Sequence, residues 1–199
     1  MNSSAVLLFI LSFGHMCTDI VQGALPALLP FLKERFDLSY AVTGTLLMAA
    51  HLTSSVIQPL FGYATDRRPF PVLLPLGCAI SGVGVALVPF SPSFGWLVAF
   101  VMFTGLGTAA FHPEGFKATA CIASVKRATG MSLFSVGGNL GFALGPLIGG
   151  FLLDYFLTHD FADVISSTNA VFSWIESVKA QHSSVSLFGY SQGMAMATT

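Results

Sequence analysis

The chain has 199 residues, of which 54% are hydrophobic and only 9% charged, with a formal net charge of −1. A soluble globular domain carries about 25% charged residues, so this surface cannot be one that mostly faces water, and a lipid-embedded chain follows. The near-neutral balance removes the electrostatic basis for nucleic-acid binding. Three scattered cysteines, Cys17, Cys78 and Cys121, have neither disulfide nor metal-ligand spacing, so no metal or cofactor is expected.

A bilayer crossing needs about 20 predominantly apolar residues. Five stretches meet that length, and the expected fold class is all-α transmembrane. The first, 5–31, contains Asp19, lacks a basic flank before it and ends at the charged run Lys33-Glu34-Arg35-Phe36-Asp37, so it reads as a retained helix rather than a cleaved signal. The second, 40–64, closes at Asp66-Arg67-Arg68-Pro69, and the third, 72–90, at Ser91-Pro92-Ser93. The fourth, 94–111, is expected to end at His112-Pro113-Glu114. A mixed linker, 115–129, leads to the fifth, 130–156. Arg67, Arg68, Lys117, Lys126 and Arg127 fall in the second and fourth connections. By the tendency of basic loops to stay inside, those connections and the amino terminus are expected in the cytoplasm, and the tail on the outer side.

Polar residues inside apolar helices are costly and therefore informative. His15, Asp19 and Gln22 are spaced i, i+4, i+7 and share one face of the first helix. A carboxylate at the bilayer centre costs about 2.5–3.5 kcal/mol on insertion scales, which calls for a cavity or a partner. One reading is a substrate or proton site, the other an interhelical bond that only holds helices together. His51 and Gln58, seven apart on the second helix, supply a candidate facing wall, and histidine offers proton exchange near neutral pH.

After the second helix, Gly62-Tyr63-Ala64-Thr65-Asp66-Arg67 has the makings of a conformational latch. Gly62 permits close approach, while Asp66 and Arg67 supply charge at the loop. In the fifth helix, Gly137, Gly141, Gly145 and Gly149 recur every four residues, a small-residue ridge for a close-packed partner helix, with Pro146 expected to kink it. Asn139 stands beside that ridge as a candidate cavity residue.

These residues resemble a family. The run GFALGPLIGG at 141–150 resembles a motif of drug/proton antiporters in the major facilitator superfamily, and GYATDR at 62–67 a shortened form of its loop between helices two and three. His15-x-x-Thr18-Asp19-x-x-Gln22, Gln58-Pro59-x-x-Gly62-Tyr63-x-x-Asp66, Phe111-His112-Pro113-Glu114 and Val136-Gly137-Gly138-Asn139 together resemble members of the fosmidomycin-resistance type. The resemblance covers about 5–156. It implies efflux of a small molecule driven by proton entry, with Asp19, His112, Glu114 and Asn139 as candidates for the polar pathway or its gates. Many proton-coupled members carry an arginine four residues before the glycine matched by Gly105; here that position is Val101. The superfamily fold has about twelve helices, two halves enclosing the substrate. Five helices alone are expected to be a truncated transporter that needs an oligomer or a missing second half.

Beyond 156 the composition turns polar, and a domain boundary is expected near Leu157. Residues 163–199 resemble a fragment of an α/β-hydrolase of the carboxylesterase type, on the motif Gly189-Tyr190-Ser191-Gln192-Gly193 after a strand-like run. Its Asp and His partners would follow the serine, so Ser191 stands without a base and no enzyme activity is expected. Two alternative readings accompany the transporter: a membrane-anchored serine hydrolase fragment, and a helical subunit that needs a partner. The joining of two unlike pieces reads as a fusion or frameshift.

Overall fold

Ser39 starts the second helix in the way its residue type dictates, its Oγ accepting from the Val42 amide at 3.3 Å. The residue before that turn that ends the first helix, Asp37, sits at φ 48°, a left-handed conformation that aspartate tolerates better than most side chains. Punctuation of this kind divides the chain, in a computed structural model that describes residues 3–157 and Ser173, into five long helices. They are α1 (Ser3–Arg35), α2 (Tyr40–Arg67), α3 (Leu73–Leu87, prolonged by a single 3₁₀ turn, Val88–Phe90), α4 (Phe94–Ala123) and α5 (Arg127–Leu157). All five are long and apolar enough to cross a membrane, and no strand occurs among the described residues.

The chain divides into two compact units, Met1–Gly149 and Gly150–Thr199. Within the first, α4 is the central helix, packed against α2, α3 and α1. Small residues make those approaches possible. A methyl group built at Gly77 on α3 would lie 2.7 Å from the Gly107 carbonyl oxygen of α4, and one at Gly105 would lie 2.5 Å from the Ala50 carbonyl oxygen of α2. Such separations leave no room for a side chain, and the backbones meet directly. The outer faces are apolar, with Phe9, Phe13, Leu52, Val56 and Leu60 all exposed, as a lipid solvent requires.

One sequence expectation changes here and another is filled in. His112-Pro113-Glu114 does not end the fourth helix: α4 runs through Pro113 to Ala123, so much of the expected linker is helical. Proline is tolerated inside membrane helices because neighbouring groups re-satisfy the freed carbonyl. The close-packed partner expected for the glycine ridge of α5, left unnamed by the sequence, is α1. There methyl groups at Gly137 and Gly141 would strike the carbonyls of Ser12 and Met16, one at Gly145 would lie 2.5 Å from that of Ile20, and one at Gly149 would touch Ala24.

The ends of the helices alternate as an up-down bundle requires. Arg35, at the end of α1, donates to the carbonyls of Pro89 and Ser91 in the turn between α3 and α4. At the other end Lys117 of α4 reaches Asp66 Oδ1 at 3.3 Å and the Thr65 carbonyl, joining α4 to the end of α2.

The expected soluble α/β fragment finds no support here: its residues, Ser191 included and Ser173 alone excepted, lie outside the described ones.

Candidate functional site

α1 is 33 residues long, and His15 and Asp19 sit at its middle, one turn apart on one face. The face turns inward because Ser12, His15 and Thr18 are all buried against neighbouring helices. Beside it, Thr18 Oγ1 donates to the Gly14 carbonyl at 3.0 Å and meets Cys78 Sγ at 3.0 Å, tying α1 to α3.

Into this face α4 brings His112. Its Nε2 lies 3.4 Å from Asp19 Oδ1, while His15 Nε2 lies 3.3 Å from Asp19 Oδ2. The two imidazole Nε2 atoms are 3.2 Å apart. Gln22, one turn further along α1, donates from Nε2 to Asp19 Oδ1 at 3.0 Å and orients the carboxylate. The three side chains form one polar knot in the middle of an apolar bundle.

The other ring nitrogens decide what the knot can do. His15 Nδ1 faces the Phe134 carbonyl oxygen at 2.8 Å, and His112 Nδ1 faces the Thr108 carbonyl oxygen at 2.9 Å. A carbonyl can only accept, so both rings carry hydrogen on Nδ1. In neutral rings both Nε2 atoms are then acceptors, and they point at each other and at a carboxylate that also only accepts. Acceptors facing acceptors in a dry interior are unfavourable unless a cation stands between them. A proton on one imidazole, or an ion between the rings, would relieve that clash.

Aromatic rings enclose it. The His15 ring stacks on Phe134 with centroids 4.1 Å apart and planes 18° off parallel, and Phe111, buried with Phe134 and 6.4 Å from it, lies 6.0 Å from the same imidazole. From α5, Gly138 presses on the knot so closely that a methyl there would lie 2.7 Å from both Asp19 Oδ2 and His15 Nε2.

The remaining expected site residues distribute unevenly. Gln22 and His51 line a small recess together with Leu25, Ala50, Ser54, Thr104, Gly105 and Thr108, adjoining the knot through Gln22 and Thr108. His51 is exposed and Gln58 half-buried on α2, and neither joins the ion-paired cluster. Asn139 is half-buried on α5, next to Gly138. Glu114 is buried on α4, with Oε2 lacking a hydrogen-bond partner among the described residues, and it is not part of the knot. Near the end of α2, Gly62 approaches Pro113 of α4, since a methyl there would lie 3.8 Å from its Cβ. Asp66 pairs with Lys117, while Arg67 turns back onto its own helix and stacks 4.0 Å over the Tyr63 ring. Pro146 lies within α5 and is exposed.

Sequence reasoning missed Thr108, Phe134 and Lys117. Thr108 was recoverable, since it precedes His112 by one turn on an uninterrupted helix, but ending that helix at Phe111 hid the relation. Phe134 lies one turn before Gly138, on the α5 face that meets α1. The sequence also carried no expectation of metal ligands, yet His15, Asp19 and His112 place one ligand atom each within 4.8 Å of one another.

Comparison with known proteins agrees with this architecture. The sequence profile of the Major Facilitator Superfamily matches residues 11–197. An uncharacterized MFS-type transporter of Bacillus subtilis, YfnC, is 39% identical over 147 residues, 74% of this chain and 36% of the relative. The fosmidomycin resistance protein of Escherichia coli is 33% identical over 147 residues, with the same shares of 74% and 36%. The methyl viologen resistance protein SmvA of Salmonella typhimurium is 35% identical over 106 residues, 52% of this chain and 21% of its own length. The chain thus spans about a third of the length of the first two relatives. The profile match continues through the region with the hydrolase-like motif. Five membrane-length helices, their glycine-mediated packing and a match over most of the sequence lead to one assignment: the chain is a multi-pass membrane protein that belongs to the major facilitator superfamily.

Proposed function

We propose that these five helices serve small-molecule efflux of the fosmidomycin-resistance type, coupled to protons, with Asp19, His15 and His112 as the proton-carrying group. One observation carries the reading: both imidazoles are held by backbone carbonyls with their Nε2 lone pairs turned on one carboxylate at the middle of α1. An ionisable group at that depth is expensive and marks a pathway. A proton relieves the clash of acceptors, and its departure restores it, so occupancy and helix arrangement are linked. The small, mainly apolar recess to which Gln22, His51, Ser54 and Thr108 contribute adjoins this group on the substrate's side, with Gln58, Glu114 and Asn139 as further polar groups along the path.

Asp66, with Lys117 opposite it, acts as the latch between the ends of α2 and α4. The protein sits in the inner membrane, amino terminus in the cytoplasm, because Arg67, Arg68, Lys117, Lys126 and Arg127 gather at one end of the bundle. Transport belongs to a larger assembly than five helices, since superfamily sites lie between two halves.

The test is a graft. This chain's matching 147 residues replace those of the Escherichia coli fosmidomycin resistance protein, and growth on fosmidomycin is scored with the hybrid present in the membrane. The expected result is resistance in the hybrid and its loss in the Asp19→Asn form. A hybrid that confers no resistance while inserted, or one indifferent to Asp19→Asn, defeats the proposal.

A further inference from the structure

We propose that His15, Asp19 and His112 also bind a single divalent transition-metal ion of the zinc class. The inference goes beyond the transport reading and does not depend on it, since a proton alone satisfies that reading.

The donor set is the first argument. Two imidazoles and a carboxylate suit zinc and its neighbours, with bonds of about 2.0–2.2 Å. In a tetrahedron with bonds of about 2.05 Å, neighbouring ligand atoms lie about 3.3 Å apart. Here the Nε2 atoms are 3.2 Å apart, His15 Nε2 lies 3.3 Å from Asp19 Oδ2 and His112 Nε2 lies 3.4 Å from Asp19 Oδ1. The two imidazole nitrogens and Asp19 Oδ2 thus supply two edges of such a tetrahedron, and with one ligand atom from each residue within 4.8 Å of the others, a turn of the carboxylate closes the third edge without rearrangement of either helix.

The second argument is the outer shell. A metal-ligating histidine usually donates its other ring N–H to a carbonyl or carboxylate, which fixes tautomer and ring plane. Both rings do so, to the carbonyls of Phe134 and Thr108. Gln22 performs the same service for the carboxylate, donating to Asp19 Oδ1. Both imidazoles are thus preset with Nε2 turned toward a carboxylate that Gln22 holds beside them.

The third argument is charge and space. The knot has one carboxylate and, among the described residues, no permanent cation in contact with it, so a divalent ion is compensated in part where the surroundings are apolar rings. Three protein ligands leave a fourth position for water or an exogenous donor. Gly138 makes this packing feasible, since any side chain there would occupy the space of His15 and Asp19. His15 and Asp19 one turn apart on a helix give the i, i+4 pair that helical metal sites use, and His112 completes it from α4.

The experiment titrates Co²⁺ into the full chain, carrying no polyhistidine tag, in EDTA-stripped nanodiscs, followed by visible d–d absorption. The expected result is one Co²⁺ per chain, displaced by Zn²⁺, with binding that weakens as pH falls because protons compete for the same nitrogens. His15→Gln, Asp19→Asn and His112→Gln should each weaken binding at least about a hundredfold, more than loss of an outer-shell partner, while His51→Gln leaves it unchanged. His112→Cys guards against a merely unfolded variant: it should retain binding and add a thiolate-to-cobalt charge-transfer band. No saturable d–d spectrum in the wild-type chain, binding indifferent to His15 and His112, or a His112→Cys protein that binds without the new band would each overturn the proposal. Loss of resistance in the graft experiment bears on transport only, so the two readings fail separately.

Discussion

His15 and His112, 97 positions apart in the chain, bring their Nε2 atoms to 3.2 Å, each ring anchored from behind by a backbone carbonyl. That relation converts two unremarkable helix histidines into a paired acceptor that Asp19 closes from the side. The carbonyls belong to α4 itself and to α5, so the state of the knot reports how α1, α4 and α5 are arranged.

The contact from α5 gives the first prediction. Gly138→Ala puts a methyl 2.7 Å from Asp19 Oδ2 and His15 Nε2. Because these atoms are buried in a packed core, the chain should lose about 1–3 kcal/mol of stability. A lowered midpoint of denaturant unfolding in micelles, together with loss of the histidine–carboxylate pairing, is the expected reading.

The ridge gives the second. Gly141→Ala strikes the Met16 carbonyl, whereas Gly82→Ala on α3 meets nothing within 4 Å. Overpacking should cost Gly141→Ala about 1–3 kcal/mol. Gly82→Ala should be neutral or gain up to about 1 kcal/mol from reduced backbone freedom. Parallel thermal unfolding of the two variants checks the contrast, and equal effects would mean that α5 does not lie on α1 as described.

Arg35 tests the opposite end of the bundle. Its guanidinium serves two carbonyls, those of Pro89 and Ser91, which a lysine cannot bridge in the same way. Arg35→Met should cost about 1 kcal/mol, below the ~1.5–3 kcal/mol of a sheltered charged hydrogen bond because the site is exposed. Arg35→Lys should recover less than half of that loss in the same unfolding assay.

The pair at the other end is a latch only if its energy depends on conformational state. Asp66 is 76% exposed, so its bond to Lys117 is screened. A double-mutant cycle of Asp66→Asn and Lys117→Met should give a coupling of about 0.2–1 kcal/mol in unfolding. Growth of the drug-challenged graft should fall with either variant by more than such a stability change explains.

Much of the fold was legible because the bilayer imposes a strict length and polarity rule on each crossing. The runs around Asp19, Ser54 and Gly141 announce helices without any knowledge of contacts. Helix ends near proline were not legible, since His112-Pro113-Glu114 reads as a break in water but continues as helix where neighbours cover the freed carbonyl. The partner of the α5 ridge was hidden for another reason: glycine spacing says that a backbone will come close, never which one. At the site, the shared face of His15, Asp19 and Gln22 followed from spacing, and His112 was a candidate through resemblance. Their convergence on one point required the crossing of α1 and α4. Lys117 stood in plain view as a basic residue, but its reach to Asp66 depends on α4 being three turns longer than its apolar run.

The claim at the centre is that Asp19, His15 and His112 form one cation-holding unit, and nitrogen-15 spectra of the histidine-labelled full chain in nanodiscs test it most directly. Imidazole tautomers have distinct ring-nitrogen shifts, so His15 and His112, assigned by His→Gln variants, should both show hydrogen on Nδ1. Their Nε2 signals should move together in Asp19→Asn while those of His51 stay in place. Nε2–H tautomers at either position, or signals of His15 and His112 that ignore Asp19→Asn, would contradict the account.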